Sequence, residues 1–206
     1  MKQMRDIMHQ GPMVPVVTID DAGMAGDLAA ALLDGGINVI EVTMRTPEAL
    51  PAVAEIRRQH PAMTVGVGTI IHEHDLDAAH RAGAQFAVSP GLASTLINHA
   101  QSLDLPYLPG IQTASEALQA VRLGVTELKF FPALSSGGTD HLTQLRPLYP
   151  EVVFCPTGGL SFDNAGHFLT LPNVACIGGS FVTPAAAMTA RDWPAITALA
   201  ARASQL

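Results

Sequence analysis

Cysteine is scarce in this chain: only two of its 206 residues are Cys. Cys155 and Cys176 each sit inside an apolar run, where a thiol packs as a small hydrophobe in a reducing compartment. They do not read as a disulfide framework or a Cys-rich metal site. Cations are few as well. Lys and Arg number 11 against 18 Asp and Glu, a formal charge of −7, and no basic run occurs anywhere. That balance argues against a nucleic-acid-binding face and against attachment to an acidic membrane. Long apolar runs are missing: no window approaches a membrane span, and residues 1–10 hold no apolar core long enough for a signal peptide. The expected location is the cytoplasm. No G-x-G-x-x-G opens a helix after the first apolar run and no P-loop occurs, so a dinucleotide or ATP is not expected.

What is present is an ordinary globular composition, 48% hydrophobic and 14% charged, without a polar low-complexity tract. The length suits one domain, taken as residues 1–206, with a core of useful size. Gly and Pro fall at intervals between apolar runs and read as turns. After a short opening helix over 2–9, the chain repeats one pattern. An apolar, β-prone run over 13–19 is followed by Asp20-Asp21 as a helix cap and by Met24, Leu28, Ala31 and Leu32 at helical spacing, until Gly35-Gly36 stops the helix. Further strands are expected over 38–44, 63–68, 86–89, 107–111, 127–132, 152–155 and 174–177. Helices are expected between them, and a last helix from Pro184 to near the end.

Eight alternations of strand and helix favour a (β/α)8 TIM barrel, an α/β fold, over an open doubly wound sheet. Gly or Pro also follows most strands at its C-terminal end, as in Gly68, Pro90-Gly91, Pro109-Gly110, Pro132, Gly158-Gly159 and Gly178-Gly179. In a barrel those ends form the face on which active sites are built.

The informative residues are polar ones within strands. In Glu127-Leu128-Lys129-Phe130-Phe131-Pro132, alternation puts Leu128 and Phe130 on one face and Glu127, Lys129 and Phe131 on the other. Taken alone, Lys129 reads as well as a strand-end lysine that snorkels to water. The second strand places Glu41, Thr43 and Arg45 on one face and Ile40 and Val42 on the other. Glu41 and Arg45 can be a structural ion pair. A barrel mouth that also receives Lys129 from another strand resembles a reaction site more than a packing solution. Desolvation and the like charge of Arg45 would favour a neutral Lys129 amine, the nucleophile that attacks a ketone to give a Schiff base. Glu41 can then shuttle protons. Arg45 offers a planar fork to a substrate carboxylate, and Thr69, at the end of Gly66-Val67-Gly68-Thr69, offers a hydroxyl to the same group. Thr69 also reads as an ordinary strand-end threonine.

Paired glycines beside hydroxyls recur after the last two strands, in Thr157-Gly158-Gly159 and Gly178-Gly179-Ser180. They can be tight βα turns. Two in adjacent loops favour a phosphate site, because backbone N–H groups can then approach an anion. His72-Glu73-His74-Asp75 looks like a metal cluster but lies at a helix start, where i, i+2 side chains splay. No third ligand recurs at another strand end, so no metal site is expected.

Val39-Ile40-Glu41-Val42-Thr43-Met44-Arg45-Thr46 resembles an E-V-T-x-R-T segment, and Gly66-Val67-Gly68-Thr69 a G-x-G-T. Ser89-Pro90-Gly91, Leu108-Pro109-Gly110, Lys129-Phe130-Phe131-Pro132-Ala133, Cys155-Pro156-Thr157-Gly158-Gly159 and Ile177-Gly178-Gly179-Ser180 follow in order. The ordered set, running over residues 11–184, resembles the bacterial 2-keto-3-deoxy-6-phosphogluconate (KDPG) aldolases, which also cleave 2-keto-4-hydroxyglutarate (KHG). The resemblance implies a class I aldolase without a metal or other cofactor, on a (β/α)8 barrel assembled as a homotrimer. By motif match it implies Lys129 as the Schiff-base lysine and Glu41 as general acid/base. Arg45 and Thr69 would hold the pyruvyl carboxylate, and Pro90 and Phe131 would wall the pocket. Thr157, Gly158, Gly159, Gly178, Gly179 and Ser180 would surround the distal phosphate. The loop 134–138 departs from the pattern beside Lys129. The implied partner is a small-molecule 2-keto acid, with neither nucleic acid nor membrane involved. Rival readings are an aldolase for a related 2-keto acid such as the phosphogalactonate epimer, a phosphosugar isomerase, and a non-catalytic sugar-phosphate-binding barrel.

Overall fold

The computed structural model describes residues 3–206. Of the opening helix predicted over 2–9, Lys2 lies outside the described residues, as does Met1, and the remainder forms α1 (Met4–Met8). Strands β1 (Met13–Val17), β2 (Val39–Thr43), β3 (Thr64–Gly68) and β4 (Phe86–Val88) follow. They alternate with α2 (Ala25–Asp34), α3 (Ala49–Gln59), α4 (Glu73–Arg81) and α5 (Ser94–Ser102). The fifth predicted strand is split into β5 (Tyr107–Leu108) and β6 (Gly110–Ile111), ahead of α6 (Ala114–Arg122). Next come β7 (Glu127–Phe130), α7 (Gly138–Leu145), β8 (Val153–Pro156), α8 (Ala165–Leu169) and β9 (Ile177–Gly179). The chain ends in α9 (Ala185–Ala190) and α10 (Trp193–Ala203).

All recorded strand pairings are parallel. Two seams turn the two sheets into one barrel. At the first, Leu108 pairs with β4 while Gly110 pairs with Lys129 of β7, and Pro109 between them accepts from the Lys129 N–H at 2.9 Å. Proline has no N–H for a ladder, so the strand changes neighbours there at little loss. At the second, the bridges Phe154↔Val174 and Thr157↔Gly178 join β8 to the β9 segment, which pairs with β1. The result is the predicted (β/α)8 barrel.

Side-chain parity divides the core in two. Ile40, Val42, Val65, Val67, Leu128, Phe130, Phe154 and Ile177 point outward under the helices and join one large apolar cluster. Val14, Val39, Phe86, Val88, Leu108, Cys155 and Cys176 point inward. Met4, Ile7 and Met8 of α1 complete that inner cluster from the N-terminal ends of the strands. Arg5 fixes this plug. Its guanidinium donates to Glu127 Oε1 at 2.6 Å, Thr126 Oγ1 at 3.3 Å and the Glu151 carbonyl at 2.9 Å. The barrel is thus stoppered at one end, and its polar interior residues lie toward the other.

Two further expected elements differ. The eighth strand, expected over 174–177, begins only at Ile177, because Val174 makes one bridge and no ladder. The helix expected from Pro184 onward is broken. Arg191 takes the left-handed conformation (φ 52°) and closes α9, and the Asp192 side chain then caps α10 through the Ala195 N–H at 3.1 Å. Pro194 sits in the first turn of α10, where its missing N–H costs nothing, and it is the signal in the sequence for this restart.

Candidate active site

Glu41 on β2 and Lys129 on β7 are 88 positions apart, and both point into the barrel. Lys129 Nζ lies 3.3 Å from Glu41 Oε1, with the two side chains 8% and 5% exposed. A charged pair so deeply buried is a poor device for stability, since desolvation consumes most of the Coulomb gain. Its placement suits chemistry instead. Lys129 Nζ also lies 5.3 Å from the centre of the Phe131 ring. Glu41, the residue expected to shuttle protons for Lys129, is its charged hydrogen-bond partner.

Glycine makes room for the pair. A Cβ on Gly68 would stand 2.0 Å from Glu41 Oε1, and one on Gly66 would fall within 2.3 Å of the Phe86 ring. The inner face of β3 is therefore bare at these two positions, so that a carboxylate from β2 and a ring from β4 can occupy it. The hydroxyl of Thr43, two residues beyond Glu41, donates to the Val17 carbonyl at 3.1 Å and holds the top of β2 to β1.

Past β3 the chain turns sharply. Thr69 has φ 66°, a conformation unfavourable for a β-branched residue. Two bonds pin the turn: Met44 N–H to the Gly68 carbonyl at 2.9 Å, and Ile70 N–H to the Val88 carbonyl at 3.1 Å. Thr69 is half-buried and borders a cavity of about 820 Å³ at the C-terminal ends of the strands. Glu41, Arg45, Pro90, Lys129 and Phe131 border it as well. Arg45 is exposed there and makes no hydrogen bond or ion pair among the described residues.

On the other side, Thr157, Gly158, Gly159, Gly179 and Ser180 complete the wall. Gly158 (φ 101°) and Gly159 (φ 77°) form a left-handed turn. The carbonyls of Thr157, Gly158 and Gly159 accept from Ala133 N–H, Leu134 N–H and Asn164 Nδ2 at 2.7, 3.1 and 3.1 Å. Turns of this kind direct backbone N–H groups toward an anion. Gly178 does not line the cavity. It lies beneath Thr157, whose Oγ1 would be 2.3 Å from an added Cβ. The other eleven residues singled out in the sequence share the one cavity.

A further part of the lining was not foreseen. Thr18, Asp20 and Asp21 enter from the β1–α2 loop, and Thr183, Met188 and Arg191 from the segment after β9. Asp20-Asp21 read as a cap, and Asp21 does accept the Gly23 N–H at 2.8 Å. Its position at a strand's C-terminal end was the signal for a second role. Below Lys129, Cys155 is its register partner on β8. The Cys155 thiol is pulled down by a hydrogen bond from Cys176, and further by the Lys129 charge and Thr157, against the effect of burial. The Cys176 thiol is pushed well up by Cys155 and by burial.

At the histidine cluster the rings of His72 and His74 stack with centroids 5.0 Å apart. The Asp75 carboxylate accepts the Ile71 and His72 N–H groups at 3.0 and 2.9 Å. Among the described residues no group of three or more His, Cys, Asp or Glu is arranged to hold a metal.

Residues 4–199 match the family described as KDPG and KHG aldolase. The chain belongs to this aldolase family. A 2-dehydro-3-deoxy-phosphogluconate aldolase of Pseudoalteromonas atlantica is 42% identical, over 97% of this chain and 93% of that protein. The crystal structure of a KDPG aldolase from Legionella pneumophila, with pyruvate captured at low pH as a covalent carbinolamine intermediate, superposes with a TM-score of 0.96. It is 38% identical, and the likeness covers 98% of each chain. The aldolase of Zymomonas mobilis crystallised with 3-phosphoglycerate gives a TM-score of 0.93 at 41% identity, over 98% of this chain and 94% of that one. The family matches span the stoppered end and the polar mouth of this KDPG and KHG aldolase fold alike.

Proposed function

We propose that the chain is a Schiff-base aldolase that cleaves KDPG to pyruvate and glyceraldehyde 3-phosphate, and KHG to pyruvate and glyoxylate. The buried 3.3 Å approach of Lys129 Nζ to Glu41 Oε1 carries this reading, because it places a proton acceptor against the amine that must become a nucleophile. Glu41 takes the ammonium proton, and Nζ adds to the C2 carbonyl to give a carbinolamine. Glu41 returns a proton to the departing hydroxyl, and water leaves to form the iminium. The iminium is then the electron sink for the C3–C4 bond. As Glu41 draws the proton from the C4 hydroxyl, that bond breaks and the aldehyde departs. The enamine is protonated at C3, and water hydrolyses the imine to release pyruvate.

Arg45 and Thr69 hold the pyruvyl carboxylate in this scheme, with Pro90 and Phe131 as walls. Thr157, Gly158, Gly159, Gly179 and Ser180 receive the distal phosphate, and Gly178 supports Thr157 from below. The carbinolamine seen in the Legionella aldolase supports the chemistry, and the Zymomonas aldolase crystallised with 3-phosphoglycerate supports a phosphorylated ligand. The family resemblance also supports a cytoplasmic homotrimer, which sedimentation equilibrium would test. Among the described residues no helix is long and apolar enough to cross a membrane.

The decisive experiment is borohydride reduction in the presence of pyruvate, followed by peptide mass analysis. A pyruvyl adduct on Lys129 is expected. An active preparation without that adduct would refute the mechanism. Turnover of KDPG, KHG and the phosphogalactonate epimer then ranks the substrates.

A further inference from the structure

Arg191 is an unusual residue in an unusual place. It closes α9 in the left-handed conformation (φ 52°, ψ 39°), where glycine would sit without a steric penalty. Its side chain reaches the β1–α2 loop, and Nη2 lies 2.6 Å from Asp21 Oδ2. Both side chains are 54% exposed, so the pair adds little to stability and is screened by salt. Yet both residues line the same cavity as Lys129 and Glu41.

Three cationic residues line that cavity: Lys129, Arg45 and Arg191. The first two serve the reacting end. Arg191, half-exposed at this rim, lines the cavity together with Ser180, Gly159 and two carboxylates, Asp20 and its own ion-pair partner Asp21. Asp20 has no ion pair among the described residues. A phosphate arriving at this rim meets two negative groups, and Arg191 is the positive charge that offsets them.

We propose that Arg191 is a specificity-determining residue, whose guanidinium leaves Asp21 to engage the phosphate at the far end of the substrate. This rests on the aldolase reading above. Three properties of the rim support the exchange. A solvent-exposed single-carboxylate pair is easily broken. A phosphate dianion offers the planar fork more charge and two oxygens in bidentate geometry. The α9 segment, six residues or about 9 Å long at 1.5 Å per residue, leads into Arg191, and its Ala185 and Met188 line the same cavity. Asp21 then acts as a competitor that holds the guanidinium when no substrate is bound, and it sets a threshold that an uncharged distal hydroxyl does not overcome.

The test compares wild type, Arg191→Gly and Asp21→Asn on KDPG and its unphosphorylated counterpart, 2-keto-3-deoxygluconate. The readout is the ratio of their kcat/KM values. Glycine suits the backbone at 191, and the amide oxygen in Asp21→Asn keeps an acceptor for the Gly23 N–H. The ratio is expected to fall roughly ten- to a hundredfold in Arg191→Gly, the usual range for losing a charge-assisted hydrogen bond, carried mainly by KM for KDPG. It is expected to rise in Asp21→Asn. An unchanged ratio in both variants, or equal losses on both substrates, overturns the proposal while leaving the aldolase reading intact. A wild-type protein that cleaves neither acid and forms no pyruvate adduct at Lys129 overturns both.

Discussion

Lys129 and Glu41 meet through the interior of the barrel and not through the ladder: β7 and β2 are not neighbours in the sheet, yet Nζ and Oε1 are 3.3 Å apart. The Glu41 side chain occupies space left open by Gly68 on the neighbouring strand. The contact is therefore sensitive both to its two members and to residues that never touch substrate.

Removing one member of a buried pair strands the other. Lys129→Met should abolish cleavage and cost about 3 kcal/mol, the usual penalty for an uncompensated buried charge. The double variant Lys129→Met/Glu41→Gln should remain inactive and regain more than half of that stability. Urea unfolding of the wild type, both single variants and the double variant checks this, and purely additive effects would show that the two groups are not coupled.

Two glycines on one strand should fail differently. Gly68→Ala presses on the Glu41 carboxyl, so kcat should drop about a hundredfold or more, the scale of a lost general acid/base, while the protein stays folded. Gly66→Ala presses on the Phe86 ring inside the inner cluster, a rigid neighbour, and should cost about 1–3 kcal/mol by overpacking. Parallel assays and melting curves would distinguish the two.

Thr69 carries backbone strain at the cavity edge. Thr69→Gly removes the strain and the hydroxyl together, so the melting temperature should hold or rise while KM for pyruvate-bearing substrates increases several-fold. A fall in stability with KM unaffected would assign Thr69 to the scaffold alone.

Arg5 tests the stopper. Arg5→Ala removes the bonds to Glu127, Thr126 and Glu151, and should lower the melting temperature by about 2–4 °C, near 1 kcal/mol for a chain of this size. Activity per folded molecule should be retained, because the lost contacts lie at the opposite end from Lys129.

Much of this was legible in the residues. Two-residue alternation suffices to turn Glu41 and Lys129 inward, because each strand carries apolar residues on the opposite face that must lie under helices. The eight strand–helix units and the post-strand glycines located the mouth. Other features depend on distance across the barrel, which no local pattern encodes. The direct 3.3 Å contact of Lys129 with Glu41 is one. Another is the bare face of β3, whose glycines read as a motif but not as room for a neighbour's carboxyl. The rim formed by Asp21 and Arg191 joins residues 170 positions apart. Its clue, an arginine where the helix pattern breaks before Asp192-Trp193-Pro194, becomes visible only once α9 is seen to end there.

The stopper formed by α1 has a kinetic consequence. With the floor filled by Met4, Ile7 and Met8, traffic runs through the mouth at the C-terminal ends of the strands, and the fragment nearer the mouth must go first. In the proposed cleavage the aldehyde is that outer fragment, while the three-carbon remnant is still bonded to Lys129 beneath it. Release becomes an ordered queue, aldehyde before pyruvate. Run backwards toward synthesis, the same queue obliges pyruvate to load before any aldehyde can be captured.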